Sequence, residues 1–262
     1  MDGNADMPQV EGATVSDANQ SAYLEVATGC FGATVVDHSS PCTGIHERPC
    51  HVVRQLTTWN ELLFPARMQL QEIPGALGQL ALVSIDDDCL LLPEAPDFQM
   101  RQSTAYGFMH SLLKYHKCLA SLHVTPFHFD KYTSPLCDAL PHSCLKKLRL
   151  SCGLALPQGI CAVIPSLTSL EELECSFFSD SCAEFPTALA ALVRASPFLV
   201  SLRLSGISME EQATKHLLTC LTERDILKDL SLERRVVPET CRSRTLPVLD
   251  VLYFTDVIEV RR

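Results

Sequence analysis

The side chains best equipped for chemistry in this 262-residue chain are its thirteen cysteines and nine histidines. Their densest grouping is Cys42-x3-His46-x3-Cys50-His51, with Cys30 and His38 nearby. Thiolates and imidazoles are the ligands that tetrahedral zinc takes. The spacing fits no standard finger, however, and no second Cys-x-x-Cys pair completes a set. The segment reads as a polar loop with incidental Cys and His, and no metal ligand or cofactor is assigned. Asp86-Asp87-Asp88 has the carboxylates a hard divalent ion prefers, yet three adjacent acids after a strand read as a solvated turn. Cysteine nucleophiles need a base and an orienting group converging in one pocket, and no local motif selects one. Gly-x-Ser-x-Gly and the phosphate loop G-x-x-x-x-G-K-[ST] are both absent. The expectation is a non-catalytic protein.

What positions the remaining polar residues is a recurring leucine-x-x-leucine-x-apolar pattern. It reads Leu119-x-x-Leu122-x-Val124, Leu145-x-x-Leu148-x-Leu150, Leu170-x-x-Leu173-x-Cys175 and Leu199-x-x-Leu202-x-Leu204. Weaker copies follow at Leu227-x-x-Leu230-x-Leu232 and Leu249-x-x-Leu252-x-Phe254, and successive starts are 26, 25, 29, 28 and 22 residues apart. A fixed period of this size marks stacked units, none of which buries its apolar face alone. Ahead of three copies runs a segment with helical apolar spacing: TAYGFMHSLLKYHKCL, EFPTALAALVRASPFL and MEEQATKHLLTCLTERDIL. Each unit is thus helix, tight connection, strand, an α/β arrangement with parallel strands. Pro135, Pro141, Pro157 and Pro165 shorten any helix between residues 124 and 170.

This core pattern resembles the leucine-rich repeat, and the long helical units resemble its ribonuclease-inhibitor-like subclass, found also in the sensor region of NLR-type immune receptors. The resemblance implies an α/β solenoid (horseshoe), parallel strands on the concave face, helices on the convex face and a short N-terminal cap. It covers about six repeats over 101–262. One departure is clear. The family places Asn or Cys at the ninth position, whereas Phe127, Gly153, Phe178, Ile207, Arg235 and Val257 stand there, so packing instead of a polar ladder fills the turns.

Upstream, residues 1–20 are small, polar and acidic, and a mobile tail is expected. Residues 21–100 form an irregular cap. Within it Thr58-x-x-Glu61 has capping-box spacing and predicts a helix over about 58–72 that Pro65 bends or splits, with Trp59 in the core. LGQLALVSI reads as a strand, and Leu77-x-x-Leu80-x-Leu82 as an earlier copy of the repeat. At the other end, DVIEV reads as an extra edge strand, with Arg261 and Arg262 discouraging further pairing.

Since alternate strand residues face opposite ways, the positions between the core leucines give a map of the concave face. Third positions run Ser121, Lys147, Glu172, Ser201, Asp229 and Val251; fifth positions run His123, Arg149, Glu174, Arg203, Ser231 and Tyr253. The candidate partner-binding residues are His123, Lys147, Arg149, Glu172, Glu174, Arg203, Asp229 and Tyr253. The same map predicts that Lys146, Lys147 and Arg149 stand beside Glu171, Glu172 and Glu174 and pair with them, and that Arg203 shares Glu174.

The formal net charge is −10, and residues 1–50 hold seven acids against the single base Arg48. That balance excludes a general nucleic-acid binder, which needs clustered Lys and Arg. No stretch approaches the roughly 18 apolar residues of a membrane helix, and the acidic start MDGNADMPQVEG lacks a signal peptide's bases. A reduced, cytoplasmic protein-interaction module that binds protein partners is the expectation, with a substrate-recognition adaptor of a ubiquitin ligase as the alternative.

Overall fold

The computed structural model describes residues 42, 50–85, 97–125, 136–152, 156–177, 184–205, 211–223, 227–233 and 258–261. These fall in the compact unit spanning 37–262. Expectations for the acidic tail, Asp86-Asp87-Asp88, Tyr253, Val251, the Leu249 copy and all six ninth positions lie outside the described residues.

Eight strands form one sheet in chain order: β1 Met68–Glu72, β2 Leu80–Ser84, β3 Leu119–Val124, β4 Lys147–Cys152, β5 Glu172–Phe177, β6 Ser201–Ser205, β7 Asp229–Glu233 and β8 Ile258–Arg261. β2 to β7 run parallel, as the helix–strand alternation predicts. β1 pairs antiparallel with β2, and β8 antiparallel with β7. The strand expected from DVIEV therefore exists, and it takes the place beside β7.

Helices among the described residues include α1 His51–Arg54, α2 Leu56–Leu63, α3 Phe98–Tyr115, α4 Gln158–Val163, α5 Phe185–Ala195 and α6 Glu211–Glu223. The long ones, α3, α5 and α6, precede β3, β6 and β7. Where prolines crowd the sequence the helices are short, as predicted. Leu140–His142 forms a 3-10 turn on Pro141, and α4 is six residues long, follows Pro157 and passes into a 3-10 turn at Ile164–Ser166.

Register follows the leucines. Leu122, Leu148, Leu173, Leu202 and Leu230 form one row across the sheet, and Val124, Leu150, Cys175, Leu204 and Leu232 a second. Every core position of the four strong copies is buried, together with Phe108, Leu112, Phe185, Leu189 and Leu217 from the helices. Leu227 and Leu230 of the next copy are half-buried. Each strand is led in by the one before it. Lys146 N–H donates to Ala120 O, Glu171 N–H to Lys146 O, Val200 N–H to Glu171 O and Lys228 N–H to Val200 O, all at 2.7–2.8 Å. Serines ahead of the strands add ties between units, Ser169 Oγ to Leu145 O and Ser196 Oγ to Thr168 O and Leu170 O.

The start of the sheet departs from expectation in three ways. The helix predicted for 58–72 is α2, which begins at Leu56 with no side-chain cap, so Thr58 is internal and the capping box does not form. It ends at Leu63 because Pro65 starts a 3-10 turn and Arg67 adopts a left-handed φ of 51°. That turn frees MQLQE to become β1. The third departure concerns Leu77, which is 85% exposed. It sits in tandem turns, with Ala76 N–H bonded to Ile73 O and Gln79 N–H to Ala76 O. Pro74-Gly75 and Leu77-Gly78 occupy the central positions, and φ values of +79° and +76° at the two glycines give the type II signature. The row of Leu119 is taken instead by Leu80, that of Leu122 by Leu82, with a bulge between because Leu80 and Leu82 are two residues apart and not three.

Across from β2, the free edge of β1 is closed by a side chain. Asn60 of α2 donates Nδ2–H to Leu70 O at 3.0 Å and accepts Leu70 N–H on Oδ1 at 2.6 Å. Trp59 is buried, as expected, and stacks on Phe108 of α3 at 4.8 Å.

Candidate functional site

The parallel register assembles the mapped residues. Ser121, Lys147, Glu172, Ser201 and Asp229 stand in one row, and His123, Arg149, Glu174, Arg203 and Ser231 in the next. The predicted pairs between β4 and β5 form: Lys146 Nζ lies 2.9 Å from Glu171 Oε1, Lys147 Nζ 2.7 Å from Glu172 Oε1, and Arg149 Nε 3.0 Å from Glu174 Oε1. All six side chains are partly exposed, at 32–53% of their surface. Exposed pairs of this kind stabilise by roughly 0–1 kcal/mol each.

Arg203 corrects one expectation. Its guanidinium turns to Asp229, with Nε at 3.1 Å and a second nitrogen at 2.7 Å from Oδ2, instead of binding Glu174. The position level with Arg203 on β7 is Ser231, so the nearest anion on that side is diagonal, and Ser201 Oγ donates to the same carboxylate at 3.2 Å. The hydrogen bond to Asp229 raises the Arg203 pKa above its ordinary value, with its charge and those of Glu174 and Glu172 adding to the effect. Seven of the eight mapped residues thus share one exposed or half-exposed face.

A second constellation was only half visible in the sequence. Cys42 and Cys50, from the Cys/His-rich segment, meet His116 and Cys118 from the junction of α3 and β3, with all four ligand atoms within 4.8 Å of one another. The backbone holds this junction firmly: Cys42 N–H donates to Tyr115 O at 3.1 Å, Leu119 N–H to His116 O at 3.0 Å and Leu80 N–H to Cys118 O at 2.8 Å. Cys50 Sγ lies 3.4 Å from His116 Nδ1. The neighbouring Cys118 thiol, with His116 beside it, outweighs burial and pulls Cys50 down to about 3, while the Cys50 contact and burial push Cys118 up. The sequence signal for the missing half is His116-Lys117-Cys118 immediately before a strand. It is too short to select from a cysteine-rich chain without the fold.

Elsewhere cysteine serves the core: Cys161, Cys175 and Cys220 are buried, as expected of a small apolar side chain. Among the described residues no helix is long and apolar enough to cross a membrane. Comparison with protein-family models and with curated protein sequences finds no match.

Proposed function

We propose that this chain is a non-catalytic protein-interaction module of the leucine-rich repeat type, with the charged face of its parallel strands as the concave binding surface. On this reading it is an NLR-like sensor or regulatory protein acting in the cytoplasm. The observation that carries it is the pair of in-register rows through Lys147, Arg149, Glu172, Glu174, Arg203 and Asp229. Their side chains are ordered by one another yet remain solvent-accessible. A mosaic of charge held in place before binding selects partners by complementarity at little entropic cost.

The test separates self-pairing from partner contact. Proteins cross-linked to the intact chain are identified, and the capture is repeated with the swapped variant K147E/R149E/E172K/E174K. The swap preserves the ion pairs and reverses the pattern. Loss of capture at unchanged melting temperature supports the reading. Capture unchanged by the swap places the binding surface elsewhere and overturns it.

A further inference from the structure

The cysteine–histidine cluster is independent of the charged face and is assembled by different elements. Cys50 immediately precedes α1. Cys42 forms an isolated parallel bridge with His116. His116 ends α3 in extended conformation, and Cys118 lies one residue before β3. His116 and Cys118 are buried, at 3% and 5% exposure, and Cys42 and Cys50 are half-buried. Three sulfurs and one imidazole nitrogen therefore converge from two stretches of chain more than sixty residues apart in sequence.

We propose that Cys42, Cys50, His116 and Cys118 bind a single zinc ion as a structural Cys3His centre that fastens Cys42 and Cys50 to the first parallel strands of the sheet. The dimensions suit the ion. Zinc bonds of about 2.3 Å to sulfur and 2.0–2.1 Å to nitrogen, in a tetrahedron, imply ligand–ligand edges of about 3.5–3.8 Å. The Cys50–His116 separation of 3.4 Å is close to such an edge, and no pair exceeds 4.8 Å. Four protein ligands leave no open position, which distinguishes a structural site from a catalytic one. Soft thiolates with one imidazole select zinc over calcium or magnesium, whose ligands are oxygens. The outer contacts also fit: backbone bonds fix both ends of the His116–Cys118 step, the kind of support that holds such ligands in place. Loading releases to solvent whatever protons the three sulfurs still carry and changes no oxidation state.

The full-length chain, purified under reduction without added chelator, is expected to carry about one equivalent of zinc by elemental analysis. After chelation, Co2+ added alone is expected to give the visible bands of a tetrahedral thiolate site and to saturate at the same stoichiometry. C118A and H116A should abolish both signals. Should either variant fail to fold, H116C decides the matter, since a fourth thiolate rebuilds the site and restores cobalt binding with bands shifted by the added sulfur. C144A, which removes an exposed cysteine outside the cluster, should change nothing. Zinc below about a tenth of an equivalent with no tetrahedral cobalt spectrum in the wild type would overturn the proposal. So would iron in place of zinc, a Cys50–Cys118 disulfide in metal-free protein, or cobalt bands that survive both C118A and H116A.

Discussion

At the residue scale, the molecule separates side chains that hold it together from side chains that decorate it. Phe185 is fully buried at the start of α5, so F185A should cost about 3–5 kcal/mol, read from the shift of a urea unfolding curve. The ion pairs lie at the opposite extreme. A double-mutant cycle on Lys147 and Glu172 should return a coupling of about 0.2–1 kcal/mol, because half of each side chain faces water and the pair is screened by salt. A coupling well above that range would mean that the pair is a structural strut instead of an ordered surface. Asn60 is a third kind of residue. It is polar and half-buried, and both of its amide groups close the backbone of Leu70. N60A leaves that N–H and C=O without their partner and should destabilise by about 1–3 kcal/mol. The same variant exposes the edge of β1 and should raise the rate of aggregation, followed by light scattering.

At the element scale, the sequence revealed regular units and concealed irregular ones. Leu119 to Leu204 declared four strands, their register and even the cross-strand partners of Lys147 and Arg149, because a parallel sheet converts a period in sequence into a row in space. The helix–strand boundary near Pro65 was less legible. A left-handed Arg67 and two type II turns set the path from α2 to β2, and the leucine spacing around Leu77 imitates the repeat without occupying its position. The Cys3His cluster was hidden for a related reason. Half of it comes from a segment with suggestive spacing, and the other half from a helix–strand junction whose proximity only the tertiary structure reveals. The turn glycines allow a clean test. A Cβ at Gly75 would meet nothing within 4 Å, so any cost of G75A comes from its φ of +79° alone. That cost should be about 1–2 kcal/mol in thermal denaturation. A neutral result would mean that the turn can relax to a negative φ.

At the scale of the whole molecule, six parallel strands are flanked on each side by one antiparallel strand, β1 and β8. The parallel strands supply the repeated face proposed for binding, and the antiparallel ones flank it. The acidic character of the chain does not extend to that face. Its net charge is −10, yet the paired side chains comprise Lys146, Lys147, Arg149 and Arg203 against Glu171, Glu172, Glu174 and Asp229, four cations facing four anions. A surface whose charges alternate and cancel has no long-range field with which to draw a partner in. Encounter should therefore proceed at the unsteered rate of about 10⁵–10⁶ M⁻¹s⁻¹ and respond weakly to salt. Discrimination then falls to the dissociation step, once partner and mosaic are in contact, so the lifetime of the complex, and not its rate of formation, records whether the match is right.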